Sequence, residues 1–230
     1  NDWVSLPPEK TIIVQLENLI GGALKDKFDP KIFKGFHIWD YSEQNKEILN
    51  VSDLASYSVI KWGYHSCLDF FSPSKTPHNE VLFYGSLTPR RQTILNKIDG
   101  FNEVTCAYNQ WGGKMDRLIE DSKCVVNIGA YHPTIKNTNE GRIIESLRLA
   151  YCVNNGVLVV SEKGGCDKQN EFWNKYCDIV CLEDIEETIS EVIYEDKYIQ
   201  KRFDYAERYK NETSMKDNMK ELIKMVYPQN

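Results

Sequence analysis

Five apolar runs, VLFYGS (81–86), EVTCAY (103–108), CVVNIG (124–129), VLVVS (157–161) and DIVCL (178–182), recur along the chain with room for a helix between most of them. Short β-branched runs of this kind suit strands buried on both faces, which is the situation in a parallel sheet covered by helices. Helical patterns at 89–98, 114–121 and 141–154 fill intervals between the runs, and three more follow at 184–195, 197–210 and 214–226. Strands alternating with helices of this length restrict the chain after residue 80 to an α/β fold built from right-handed βαβ units.

The stretch NEGRIIESLRLAYCVNNGVLVVSE (139–162) shows the alternation and poses a question about charge. On a 3.6-residue period, Ile143, Leu147, Ala150 and Tyr151 form one stripe, with Glu145, Arg148 and Cys152 roughly opposite. Asn154, Asn155 and Gly156 tolerate the left-handed conformation that ends a helix. The charged face is either solvated surface, with Glu145 and Arg148 an i,i+3 pair of small energy, or the wall of a site.

Before residue 80 the pattern is sparser. Strands are expected at 11–16, 35–39 and 58–62, with a helix at 43–49 whose N-cap is Ser42. The segment 66–80 has prolines, serines and no periodicity, and reads as a linker. The expected organisation is a reduced first lobe (1–65), the linker (66–80), and a larger Rossmann-like lobe with C-terminal helices (81–230).

Composition bounds the partners. The 230 residues carry a net charge of −6, with 41% hydrophobic and 27% charged residues, which allows a sizeable core and offers no concentrated basic face for a nucleic-acid backbone. No apolar run is long enough to span a bilayer. The seven cysteines form no CxxC and the histidines lack metal-ligand spacing, so the expectation is buried, reduced thiols in a cytoplasmic protein.

Open parallel sheets bind ligands beyond the carboxyl ends of their strands, where helix N-termini point their amides. In GSLTPRR (85–91), Gly85 permits a tight turn at a strand end and Pro89 suits a first helical position. Arg90 and Arg91 then sit where positive charge opposes the helix dipole, a placement that an anion would explain; two solvated arginines are the plainer alternative. No GxGxxG, GxxxxGK[ST] or Asp-x-Asp is present, so no dinucleotide loop, P-loop or carboxylate-held cation is indicated.

Taken in order, strand–GSLTPRR–helix, AYNQWGG, KMDRLIEDSKCVVNIGAYH and E-x2-R-L-x-Y-x3-N before VVSE resemble the nucleotide-binding half of GT-B glycosyltransferases, particularly small bacterial and large-virus members. IIVQLENL, HIWDYSEQN and KWGYH are similar to the end of that family's first lobe. The resemblance implies two Rossmann-like lobes, the first reduced or truncated. It also implies transfer of a sugar from a nucleoside-diphosphate donor to a glycan hydroxyl, with no metal and no other cofactor. The diphosphate would lie over the N-terminus of helix 141–154, with Arg90 or Arg91 neutralising it. Glu145 would sit near the ribose or sugar with Arg148 beside it; Gly85, Ser86, Asn127, Tyr131 and His132 would line the donor pocket, and Tyr108 the base. An acid/base group normally comes from the first lobe, where Glu17 and Asp40 end strands. Their plainer roles are a solvated Glu17 and a turn-capping Asp40. On family frequency the donor would be a UDP-sugar, UDP-rhamnose by the viral resemblance. The small first lobe suggests one domain of a longer, multi-enzyme polypeptide, viral and working in the host cytoplasm.

Two further readings stand beside this one. A non-catalytic relative would bind a glycan or a partner without turnover. An S-adenosylmethionine-dependent methyltransferase would want a glycine-rich loop after its first strand, where FYGSLTPRR has one glycine and two arginines.

Overall fold

The structure is a computed structural model that describes residues 6–20, 28–130, 142–194 and 197–227. The chain divides into two compact units, Asn1–Trp62 with Met215–Asn230, and Gly63–Ser214.

In the larger unit, β4 (Asn79–Tyr84), β5 (Val104–Ala107), β6 (Ser122–Asn127), β7 (Leu158–Glu162) and β8 (Asp178–Val180) form one parallel sheet in the order β5-β4-β6-β7-β8. The three central strands are buried on both faces: Val81, Leu82, Phe83, Cys124, Val125, Leu158, Val159 and Val160 are all sealed from solvent. This is why their sequences are continuous apolar runs rather than alternating ones. After β5 the chain returns to the other side of β4, so the strand order reverses between β4 and β6. A crevice opens at such a reversal, outside the carboxyl ends of the two strands.

Helices α1 (Pro89–Asp99), α2 (Gly113–Glu120), α3 (Ser146–Asn154), α4 (Asp167–Trp173), α5 (Ile185–Tyr194) and α6 (Lys197–Glu212) complete this unit. Thr88 caps α1 by accepting the Arg91 amide, with Pro89 in the first position. The stop of α3 is as expected: Val157 N–H donates to Cys152 O and Gly156 N–H to Val153 O, with Gly156 at φ +72°. That is the paired bonding of a Schellman end.

The start of α3 is not as expected. The helix begins at Ser146, and Glu145 is its N-cap residue rather than a residue inside it. The predicted stripe is therefore out of phase: Leu147 is exposed, while Leu149, Ala150, Cys152 and Val153 are buried. Ile143 and Ile144 are buried as non-helical chain, held where the Gly165 amide donates to Arg142 O. Helix α4 was not anticipated; it is short, polar, and anchored by Trp173, whose indole donates to Ser146 Oγ.

The segment read as a linker packs as part of the larger unit. The Phe70 and Phe71 amides both donate to Asn155 Oδ1, and the Ser74 amide to Glu120 O. Phe70 and Phe71 lie against the Tyr151 ring.

The smaller unit holds a parallel sheet β1 (Ile12–Gln15), β2 (His37–Asp40) and β3 (Ser56–Val59), in that order. The predicted helix 43–49 is a 3₁₀ helix, Glu43–Glu47, capped by Ser42. Helix α7 (Met215–Val226) belongs to this unit and not to the second lobe as the sequence suggested. Its Leu222 packs with Trp39 and Ile60. Among the described residues no helix is long and apolar enough to cross a membrane. The cysteines are free; Cys124, Cys152 and Cys177 are buried, but Cys67, Cys106 and Cys181 are exposed, against the expectation of uniformly buried thiols.

Candidate functional site

At the reversal between β4 and β6, three charged side chains meet beside Gly85. Arg91, from the first turn of α1, donates through Nη2 to Glu145 Oε1 at 3.1 Å; Arg148, from α3, reaches Glu145 Oε2 through Nη2 at 3.0 Å. One carboxylate therefore serves two guanidinium groups, leaving a formal excess of one positive charge in this trio. Gly85 has φ +132°, and a Cβ there would stand 3.2 Å from Arg148 Nη2 and 3.5 Å from Arg91 Nη1. The glycine supplies both a backbone conformation hostile to other residues and the space into which the guanidinium groups fit.

Both arginines are held from behind. Arg91 Nε donates to Ile128 O at 2.9 Å and Nη1 to Ser86 O at 3.0 Å, with the group over the Phe83 ring. Burial draws the Arg91 pKa below its ordinary value, opposed by the neighbouring Glu145. Arg148 Nη1 donates to Asn127 Oδ1 at 2.7 Å, and its guanidinium stacks 4.7 Å from the centre of the Tyr84 ring. Asn127 is fixed by its own bond to Ser161 Oγ. Tyr84 is half-buried, with its hydroxyl on Cys152 Sγ; burial first, then Cys152, pushes its pKa well up.

Arg90 has a different partner from the one the sequence suggested. It is ion-paired through Nη2 with Glu162 Oε1, donates through Nη1 to Glu162 Oε2 at 3.0 Å, and also reaches Gly129 O at 2.6 Å. Arg142 reaches the same carboxylate at 2.6 Å, and the Gly129 amide donates to it at 3.0 Å. The anion that reconciles Arg90 with the start of α1 is a protein carboxylate, 2% exposed, so Arg90 is not a donor-phosphate ligand in this arrangement. Together Thr88, Arg90 and Arg91 grip the consecutive carbonyls of Ala130, Gly129 and Ile128. This fixes the main chain where β6 ends.

Of the other expected donor residues, Ser86 is exposed and gives its carbonyl to Arg91, and Asn127 orients Arg148. Tyr108 follows β5 at the same sheet edge and is exposed. Tyr131 and His132 lie outside the described residues. Glu17 and Asp40 belong to the smaller unit. Glu17 is exposed. Asp40 is sealed from solvent; its Oδ1 accepts from the Ser42 amide at 3.0 Å and from Asn45 Nδ2 at 2.9 Å. It performs the turn-capping role, and burial pushes its carboxyl up to about 6. Arg142 and Tyr84 were missed; Glu162 was legible as a polar residue at a strand end, but not as the partner of Arg90 and Arg142. The signal available for Glu162 was a carboxylate ending the β-branched run of a buried strand, where an unpaired charge would be costly.

The fold that carries this crevice is GT-B. The chain is similar to HepE from Anabaena, solved with UDP and glucose, at 12% identity over 95% of this chain and 71% of that one, TM-score 0.65. It is similar to sucrose-phosphate synthase from Thermosynechococcus elongatus at 11% identity, covering 94% of this chain and 67% of that one, TM-score 0.57. It is also similar to TarM of S. aureus at 12% identity, TM-score 0.55, matching 83% of this chain but only 43% of TarM. No protein-family model and no curated sequence matches the chain.

Proposed function

We propose that this chain is a glycosyltransferase that moves a sugar from a nucleoside-diphosphate donor, a UDP-sugar, to a hydroxyl of a glycan acceptor. The observation that carries the reading is the guanidinium pair at the strand-order reversal. Arg91 is buried and Arg148 largely so, both are fixed from behind, and they share a single carboxylate at the place where an open α/β sheet receives its ligand. The structural likeness to HepE, solved with UDP and with UDP-glucose, supports a donor of this kind. In this reading the two guanidinium groups neutralise the leaving diphosphate without a metal, and the exposed carboxylate of Glu17 takes the proton from the acceptor hydroxyl. Asp40, enclosed, would act through the turn that it caps.

Isothermal titration with UDP, GDP and TDP tests this, each with chelator and again with magnesium. Binding of UDP that is indifferent to magnesium is expected. Arg148→Ala should weaken it by about 1.5–3 kcal/mol, the range for a hydrogen bond to a charged group. No binding of any nucleoside diphosphate, or binding that needs magnesium, would count against the reading. Release of UDP from a panel of UDP-sugars, UDP-rhamnose included, identifies the sugar.

The three-stranded sheet of the smaller unit favours one other reading, a non-catalytic relative that binds without transfer. Turnover of any nucleotide sugar, lost in Glu17→Gln with UDP affinity intact, decides between them.

A further inference from the structure

Arg91 is committed on every side but one, and Arg148 is anchored through one nitrogen and the plane of its guanidinium. For Arg91, Nε and Nη1 are taken by the carbonyls of Ile128 and Ser86, and Nη2 alone faces Glu145. For Arg148, Nη1 is taken by Asn127 and the plane by the Tyr84 ring, and Nη2 faces Glu145. None of these anchors depends on Glu145. The side chains of Arg91 and Arg148 are 2% and 10% exposed, whereas that of Glu145 is 43% exposed. Two of the three charges are therefore fixed, and the third, at the N-cap of α3, stands at the mouth of the crevice. Its two oxygens, one on each guanidinium, offer what two oxygens of a phosphate group would offer.

We infer that Glu145 is an internal counter-anion, which occupies the place of an incoming phosphate group and leaves it when the phosphate binds. The inference rests on the proposed nucleotide-donor reading for its ligand, and it adds a cost to binding. The ligand must break two charge-assisted contacts before it makes its own, and the displaced carboxylate stays close enough to repel it. Removing that charge should therefore strengthen phosphate binding, the reverse of what deleting a ligand-binding residue does.

The experiment compares wild type and Glu145→Gln by titration with inorganic pyrophosphate, which has no base and no hydroxyl for Glu145 to hold, and with UDP. Gln keeps the size of the side chain and one acceptor oxygen, and equal thermal melts establish that both proteins are folded. Pyrophosphate should bind Glu145→Gln tighter by about tenfold or more, the scale of one relieved like-charge contact at a half-exposed position. The gain should vanish in the Glu145→Gln/Arg148→Met double variant. Glu145→Ala should show the same gain if Gln packs poorly.

UDP binding by wild type with no pyrophosphate gain in either Glu145 variant overturns the exchange and leaves the proposed function standing. A pyrophosphate gain in a protein that ignores UDP supports the exchange and removes the nucleotide reading. No binding of either ligand by either protein overturns both.

Discussion

Arg90 gives its guanidinium to Glu162 and the Gly129 carbonyl, whereas its neighbour Arg91 keeps one nitrogen turned to the crevice. Replacing Arg90 by Met leaves Glu162 short of a partner in a sealed site, and breaking a buried pair in this way costs about 3–5 kcal/mol. Arg148→Met removes the hydrogen bond to Asn127, a ring contact and an ion pair with the half-exposed Glu145, a loss of about 2–3 kcal/mol. Urea unfolding should show the larger loss for Arg90→Met, and UDP titration the larger loss for Arg148→Met. The opposite ranking would return Arg90 to the phosphate site. The sequence made both arginines visible as charges in an unfavourable place, but not which anion answered them. Glu162 lies 72 residues away from Arg90, and only the packing of β7 beside β6 brings it near. Asp40 carries a pH prediction. Its carboxyl is raised by burial from an ordinary 3.8 to about 6, so the folded state holds this proton more tightly than the unfolded state does. Stability from this group is therefore greatest below 3.8, falls as pH rises to about 6, and is level above. Urea midpoints of wild type and Asp40→Asn across that window should diverge, the variant gaining on the order of 1–3 kcal/mol relative to wild type as pH rises. A difference that stays flat with pH would mean that the carboxyl titrates alike in the folded and unfolded states.

At the scale of elements, what the sequence disclosed was local. Asn154, Asn155 and Gly156 announced the end of α3, because a helix stop is built from neighbouring residues. The start at Ser146 was obscured because Ile143 and Ile144 keep the apolar pattern going, and what pulls them off the helix is Gly164, far along the chain. A Cβ on Gly164 would stand 2.9 Å from Ile144 Cγ1 and 3.2 Å from Arg142 O. The Gly164 backbone is itself clamped, its amide and carbonyl both bonded to the Asn170 side chain. With main chain on both sides unable to yield, Gly164→Ala should cost about 1–3 kcal/mol, the usual range for overpacking. Gly113→Ala is the control. Nothing lies within 4 Å of its Cβ position, and it opens α2, so the change should be neutral or stabilise by up to about 1 kcal/mol. Equal effects of the two substitutions in urea unfolding would mean that the chain crossing at Gly164 is looser than its distances indicate.

For the whole molecule, the placement of α7 decides how the chain should come apart. Met215, Met219, Leu222 and Val226 lie along one face of α7, and this stripe packs with Ile12, Trp39, Ile60 and Trp62. Asn218 donates to Lys61 O and Tyr227 to Lys10 O, so the helix closes the smaller unit through polar contacts as well. The sequence showed the amphipathic stripe but not its destination, since a helix written after the larger unit reads as part of it. Placed as it is, α7 makes the smaller unit discontinuous, and its contribution must be lost from that unit first. Leu222→Ala removes a side chain that is 8% exposed, at a cost of about 2–5 kcal/mol for such a truncation. A unit whose core is one three-stranded sheet has little stability to spare. Hydrogen exchange on the full chain, read by mass spectrometry, should therefore show protection falling in β1, β2, β3 and α7. Rates in β4, β6 and β7, whose core shares no residue with the α7 stripe, should stay unchanged. Loss of protection in the central strands of the larger sheet would show that the two units unfold as one, and faster exchange confined to α7 would show that the helix only decorates the smaller sheet.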